Sequence, residues 1–176
     1  MATKNIMNSK QMNSALEGIA KQIVKRNRAM AEVALIGIRS RGVPIAETLA
    51  KKISAIIKKE VPVGSLDINL YRDDLSEVDE QPIVRKSELP FSVGGKGVVL
   101  VDDVLYTGRT IRSALDALTD FGRPKFVQLA VMIDRGWREL PIQADFVGKA
   151  LKTGPDEVVH VMIRDIDGTD QVIVKK

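Results

Sequence analysis

With 176 residues, 44% of them hydrophobic and 28% charged, the chain has the size and balance of one globular domain with its own core, expected to span residues 1–176. No apolar run approaches the ~20 residues of a membrane span, the opening MATKNIMNSKQMNS lacks a signal-peptide core, and the absence of cysteine excludes disulfides, thiol nucleophiles and thiolate metal sites. A cytoplasmic protein is expected, and its net charge of +4 and pI near 9.3 favour anionic partners, which a phosphate-rich substrate and RNA satisfy equally.

From Ser9 to Met30, the residues Met12, Leu16, Ile19, Ile23 and Val24 recur at helical spacing, with Ser9 placed to cap the start. Lys21, Lys25, Arg26 and Arg28 fall on the polar face, which suits an RNA phosphate track as well as a solvated surface. VALIGI, Val33 to Ile38, predicts a buried strand. It ends in a small basic loop, Arg39-Ser40-Arg41-Gly42, and Pro44 then opens a helix whose Ile45, Leu49, Ile53, Ile56 and Ile57 face inward. Leu66, Ile68 and Leu70 alternate with Asp67 and Asn69, the pattern of a strand near a sheet edge. After Tyr71-Arg72, the segment Asp73 to Gly95 is rich in charge, proline and glycine, and a loop of about twenty residues is usually functional or disordered.

Val98 to Val101 reads as a buried parallel strand that delivers Asp102 and Asp103 to its carboxyl end. The loop Tyr106-Thr107-Gly108-Arg109-Thr110 leads into a helix with Ile111, Ala114, Leu115 and Leu118 on its apolar face. Phe126 to Ile133 is a further strand, with Asp134-Arg135-Gly136 at its end; Ala144 to Val147, Glu157 to Ile163 and Gln171 to Val174 are shorter ones. His160 lies in an alternating strand and is read as structural. Strands alternating with helices, three of them ending in small polar loops, predict a doubly wound α/β fold with a mainly parallel sheet and flanking helices.

The central corner has the chemistry of a sugar phosphate site. Thr107 and Thr110 offer hydroxyls, Gly108 allows close backbone approach, and Arg109 and the helix N-terminus add positive potential. One helix-dipole interaction contributes roughly 0.3–1 kcal/mol, so several donors must converge to hold a phosphate. Asp102 and Asp103 would repel that phosphate; they make sense as acceptors of sugar hydroxyls, each charge-assisted bond contributing about 1.5–3 kcal/mol. A ligand with hydroxyls at one end and a phosphate at the other is a ribose 5-phosphate. A triphosphate-binding loop, GxxxxGK[ST], is excluded because Asp103 stands where its first glycine belongs and Arg109 replaces its lysine.

The words GIRSRG (37–42), LYRDDLS (70–76), VDDVLYTGRT (101–110), GRP (122–124) and QLAVMIDRGWRELPIQADFVGK (128–149) cover most of the chain in order. At these residues the sequence resembles the type I phosphoribosyltransferase family, and within it the pyrimidine-operon attenuation regulators that also have uracil phosphoribosyltransferase activity. The resemblance implies a type I phosphoribosyltransferase fold with a flexible hood, the Asp73–Gly95 loop, closing over the site to exclude water. It implies transfer of the phosphoribosyl group from phosphoribosyl pyrophosphate to uracil, giving UMP and pyrophosphate, with Mg²⁺ as cofactor.

By the same resemblance Ser40 and Arg41 hold pyrophosphate, and Arg72 joins Arg41 in neutralising it. Asp102 and Asp103 hold the ribose hydroxyls directly or through the metal, Thr107, Gly108, Arg109 and Thr110 hold the 5-phosphate, and Val104, Leu105 and Tyr106 are further substrate-binding residues. Arg135, Phe146, Val147, Lys149 and Val159 belong to the uracil pocket. Purine members usually place an aspartate near Tyr106, so the tyrosine points to a pyrimidine. Pyr messenger RNA is the implied second partner, met by Lys21, Lys25, Arg28 and Arg138, and a homodimer or higher oligomer is implied.

Two departures bear on RNA: Trp137 and Gln143 stand where the family usually has histidine and arginine, and Glu17 and Gly18 where it tends to have threonine and arginine. Losing an arginine–phosphate contact and adding a carboxylate both weaken RNA affinity. A nucleotide-sensing regulator with negligible catalysis, and a phosphoribosyltransferase for another base without an RNA role, are the alternative readings.

Overall fold

The apolar runs become the interior strands of a parallel sheet in the computed structural model, which describes residues 3–28, 30–73 and 86–176. The five strands lie in the order β3 (Val63–Leu66), β2 (Val33–Ile38), β4 (Gly97–Leu105), β5 (Phe126–Asp134) and β6 (Phe146–Ala150), every neighbouring pair parallel. Helices cover both faces, as the doubly wound pattern requires. On one side α1 (Ser9–Arg26) and α2 (Gly42–Ile57) bury Leu16, Ile19, Ile23, Leu49 and Ile53 against Val99 and Val101. On the other, α3 (Arg109–Thr119) buries Ile111, Ala114 and Leu118 against Val98 and Leu100. β4 is apolar on both faces because both are covered, so its run does not alternate in polarity.

A second sheet of three antiparallel strands joins β1 (Thr3–Met7), β8 (Gln171–Lys175) and β7 (Val158–Met162), with a short helix α4 (Arg164–Asp167) between β7 and β8. Val161 and Val172 from this sheet enter the same core as α1 and α2. β1 carries no periodic signal, since only Met7 of its five residues is buried. Among the described residues no helix is long and apolar enough to cross a membrane.

Several expected boundaries shift for local reasons. The first helix ends at Arg26, before Met30, and its cap is Asn8 and not Ser9: Asn8 and Gln11 exchange side-chain and backbone hydrogen bonds, both 2.9 Å, in a reciprocal capping box. The strand expected through Leu70 stops at Leu66, because the Asp67 carboxylate accepts the Asn69 N–H and turns Asn69–Tyr71 into a 3₁₀ turn, leaving Leu70 72% exposed. Ile56, in the last turn of α2, and Leu115, on the flank of the α3 stripe, are exposed and not core. The strand expected from Ala144 begins at Phe146. Of the Asp73–Gly95 hood, residues 74–85 lie outside the described residues; beyond them Glu88 bridges back to the edge strand through two 2.8 Å bonds with Ser65.

Candidate active site

From β2 the chain moves outward to β3, and from β4 it moves the other way to β5 and β6, so the sheet reverses its winding between β2 and β4. That reversal opens a crevice at the carboxyl ends of the two strands. Pairing of β2 with β4 stops at Gly37 and Val101, while β5 accompanies β4 to Leu105. Asp102 and Asp103 are therefore the first residues of β4 free of a β2 neighbour. Two glycines press the Arg39–Gly42 loop against them: a Cβ on Gly42 would stand 2.3 Å from the Val101 carbonyl oxygen, and one on Gly37 would stand 2.5 Å from that of Gly42.

Asp102 is 7% exposed and Asp103 half-buried. Asp102 accepts the Asp103 N–H at 2.9 Å, and Asp103 accepts the Val104 N–H at 2.8 Å. Burial, and then the neighbouring Asp103 charge, push the Asp102 carboxyl well above the ordinary carboxylate range, against the opposing pull of that N–H bond and of Arg72. A buried carboxyl beside a second one is relieved by a cation, so the pair fits a divalent ion. Among the described residues no three His, Cys, Asp or Glu side chains gather into a metal cluster, so such an ion would complete its shell from substrate oxygens and water.

Two cavities flank this strand end. One, of about 300 Å³, is lined by Arg41, Asp103, Val159, His160, Asp167 and Lys175 among others. The second, of about 350 Å³, is lined by Arg72, by residues 104–111 and by Glu139. In the second, Gly108 takes φ +95 at the N-terminus of α3, and Thr107 Oγ1 accepts the Arg109 N–H at 3.3 Å. The first-turn N–H groups of α3 have no partner within the helix, and Arg109, Thr110 and Ile111 line this cavity, so it has the chemistry to take an anion. A larger cavity, about 630 Å³, sits away from β4, between Arg39, β3 and residues 86–90.

The expected site residues divide into groups. Arg41, Asp103 and Val159 line the first cavity and Arg72 with Val104 to Thr110 the second, while Ser40 and the buried Asp102 are the chain neighbours of Arg41 and Asp103 and line neither. Arg109 lines the anion cavity, yet its guanidinium is engaged: Nε donates to Glu139 at 2.7 Å and Nη1 to Asp73 at 2.8 Å, and Arg112 shares Asp73 at 3.0 Å. Pairing with Glu139 and then Asp73 raises its pKa further. Arg135 is buried, stacks 4.0 Å from the Tyr106 ring centroid, and its Nε has no hydrogen-bond partner among the described residues.

Phe146 does not reach the crevice; it is buried in the core beneath α1, with Arg26 5.7 Å from its ring centroid. Val147 is half-buried in the core on the α3 side, and Lys149 is exposed. Lys21, Lys25 and Arg28 are exposed. Arg138 is turned inward: it donates to the Ile142 carbonyl at 2.7 Å, the Tyr106 carbonyl at 2.9 Å and Asp134 at 2.6 Å. Sequence reasoning missed Asp167 and Glu139, the carboxylates that hold Arg41 and Arg109. Asp167 left only a faint local trace, an acid just before Gly168, whose φ of +77 ends α4.

Residues 2–161 match the model of the phosphoribosyl transferase domain family. The chain is 56% identical over 167 residues to a bifunctional protein PyrR of Deinococcus radiodurans, covering 95% of this chain and 91% of the relative. It is 55% identical over 169 residues to the bifunctional protein PyrR of Pelotomaculum thermopropionicum, covering 96% and 93%. Among solved structures, a hypoxanthine phosphoribosyltransferase from Staphylococcus aureus superposes with a TM-score of 0.71 at 19% identity, over 97% of this chain and 90% of that one. The Trypanosoma cruzi enzyme of the same name gives 0.72 at 16% identity, over 97% and 95%; at such identities the likeness is one of fold.

Proposed function

The chain belongs to the phosphoribosyl transferase domain family, and from that premise we propose that it is a uracil phosphoribosyltransferase that also regulates pyrimidine genes by binding their messenger RNA. It couples uracil with phosphoribosyl pyrophosphate to give UMP and pyrophosphate. The observation that carries the enzymatic half is the placing of a carboxylate pair between an anion cavity and a second cavity that contains Arg41, all at the winding reversal of the sheet. Substrate ribose, 5-phosphate and pyrophosphate have one matching feature each along that line.

The chain's own groups act by holding and orienting. Thr107, Thr110, Gly108 and the first-turn amides of α3 take the 5-phosphate, and Asp102 and Asp103 accept the ribose hydroxyls. Arg41, with Ser40, binds the pyrophosphate, and Arg72 adds charge beside Asp102. As the bond to pyrophosphate lengthens, positive charge grows on the sugar next to two carboxylates, and negative charge grows on a leaving group facing arginine. Mg²⁺ held between Asp102, Asp103 and substrate oxygens would supply further positive charge to the leaving pyrophosphate. Tyr106, with Arg135 stacked on it, takes the base and stands where purine members of the family usually have an aspartate, and Val159 lines the neighbouring cavity.

The regulatory half rests on the PyrR relatives and on the exposed Lys21, Lys25 and Arg28 of the α1 surface, with UMP as the co-ligand and a homodimer or higher oligomer as the binding form. Arg138 adds no free donor to this surface, since it donates to the Ile142 and Tyr106 carbonyls and to Asp134. Pyrophosphate release is expected with uracil and not with cytosine, guanine or hypoxanthine; absence of turnover with every base would reject the enzyme. Gel-shift titration against pyr leader RNA is expected to show UMP-strengthened, salt-sensitive binding, and no binding would reject the regulator.

A further inference from the structure

Arg41 is held from a distant part of the chain. Its Nε donates to Asp167 Oδ2 at 3.2 Å and its Nη2 to Asp167 Oδ1 at 2.7 Å, across 126 residues of sequence. Asp167 is itself fixed, because Oδ2 also accepts the Ile163 N–H at 2.8 Å and the carboxylate side chain is only 15% exposed. This is the side-on fork, which occupies one edge of a planar guanidinium. The outer edge, both Nη1 protons and the second Nη2 proton, makes no hydrogen bond among the described residues, and Arg41 lines the cavity that Asp103 shares. Asp167 also lies beyond residue 161, where the match to the family model ends.

We propose that Asp167 is a positioning residue for the transfer reaction, clamping Arg41 side-on so that its outer edge is presented, already ordered, to the pyrophosphate of the substrate. The inference rests on the phosphoribosyl-transfer reading of this crevice. A masking role, in which Asp167 competes with pyrophosphate, fits the geometry poorly, because the fork leaves the anion-binding edge open. Ordering the guanidinium beforehand removes side-chain entropy that substrate binding would otherwise have to supply.

The test is steady-state kinetics on the full chain with separate titration of phosphoribosyl pyrophosphate and uracil, together with calorimetric binding of inorganic pyrophosphate and of UMP. Asp167→Ala is expected to raise KM for phosphoribosyl pyrophosphate about tenfold and weaken pyrophosphate equally, while KM for uracil and the affinity for UMP stay within about twofold. Asp167→Glu restores part of the loss. In an Arg41→Gln background Asp167→Ala has no further effect, since it acts only through that arginine. Unchanged or tighter pyrophosphate binding in Asp167→Ala overturns the proposal, as does an equal loss of UMP binding, which marks a general loosening of the fold. Should Asp167→Ala not fold, Asp167→Asn, which keeps an acceptor for the Ile163 N–H, carries the same expectations. Lack of turnover by the wild-type chain with every base would fail the underlying reading instead, and pyrophosphate binding still judges the clamp.

Discussion

The two adjacent aspartates illustrate how neighbouring residues of one type take different energetic roles. Asp102 is buried with a carboxyl pushed up by desolvation and by Asp103, so its charge destabilises the empty protein. Asp102→Asn keeps an acceptor for the Asp103 N–H and removes that charge. It should raise the thermal midpoint, by about 2–4 °C for each ~1 kcal/mol gained, while lowering turnover at least tenfold. Asp103→Asn should lower turnover at least tenfold with little change in midpoint; near-normal activity would remove Asp103 from the catalytic set. Calorimetry and the uracil assay on the same preparations separate the two effects. The placing of both aspartates, of the Tyr106–Thr110 loop and of Arg41 at strand ends was legible in the sequence because each sits in a contiguous word. The partners of Arg41 and Arg109 were not, since a pair formed across 126 or 30 positions leaves no periodicity to read.

At the scale of elements, loops are fixed by single residues that tie backbone segments together. Arg138 bonds the Tyr106 and Ile142 carbonyls and Asp134, joining the β4–α3 loop to the segment after β5. Its basic side chain and its place in the RGWREL word suggested an RNA contact, yet its donors are used within the chain. Arg138→Ala should cost about 2 kcal/mol and slow uracil turnover by loosening Tyr106, with chemical denaturation as the check. The start of α2 is set by contact instead of hydrogen bonding: Gly42→Ala would drive a Cβ to 2.3 Å from the Val101 carbonyl, and neither backbone can yield. A loss of about 3 kcal/mol or more is expected, visible as a lower denaturation midpoint or insoluble expression. Helix and strand types were readable from apolar spacing, whereas ends such as Asn8 and Leu66 were decided by individual hydrogen bonds.

The response of the whole molecule to pH follows from three acids. Hydrogen bonds from Arg41 and the Ile163 N–H hold Asp167 below the ordinary carboxylate range. Burial alone would raise Asp134, but the Arg138 and Gly136 N–H bonds outweigh it and lower it too. The stability these two contribute is complete above the unfolded carboxylate pKa, about 4, and is lost as pH falls through their lower native values. Asp102 is raised, so its contribution is favourable while protonated and fades as pH climbs from about 4 toward its native value. Thermal midpoints measured from pH 2.5 to 8 should therefore peak in weak acid, and Asp102→Asn should flatten only the limb above the peak; an unaltered upper limb would refute this assignment.

The doubly wound sheet was readable from the order of strands and helices, but the second sheet was not, because β1 is mostly exposed and finds its partner at the far end of the chain. Thr3 lies opposite Lys175, and among the described residues β1 pairs with β8 alone. As a ribosome extends the polypeptide, β1 is made well before β8 and has no partner strand until β8 follows. Arg41 likewise leaves the exit tunnel long before the acid that steadies it. A nascent chain thus carries its carboxylate pair and Arg41 before it gains the acid that orders that arginine.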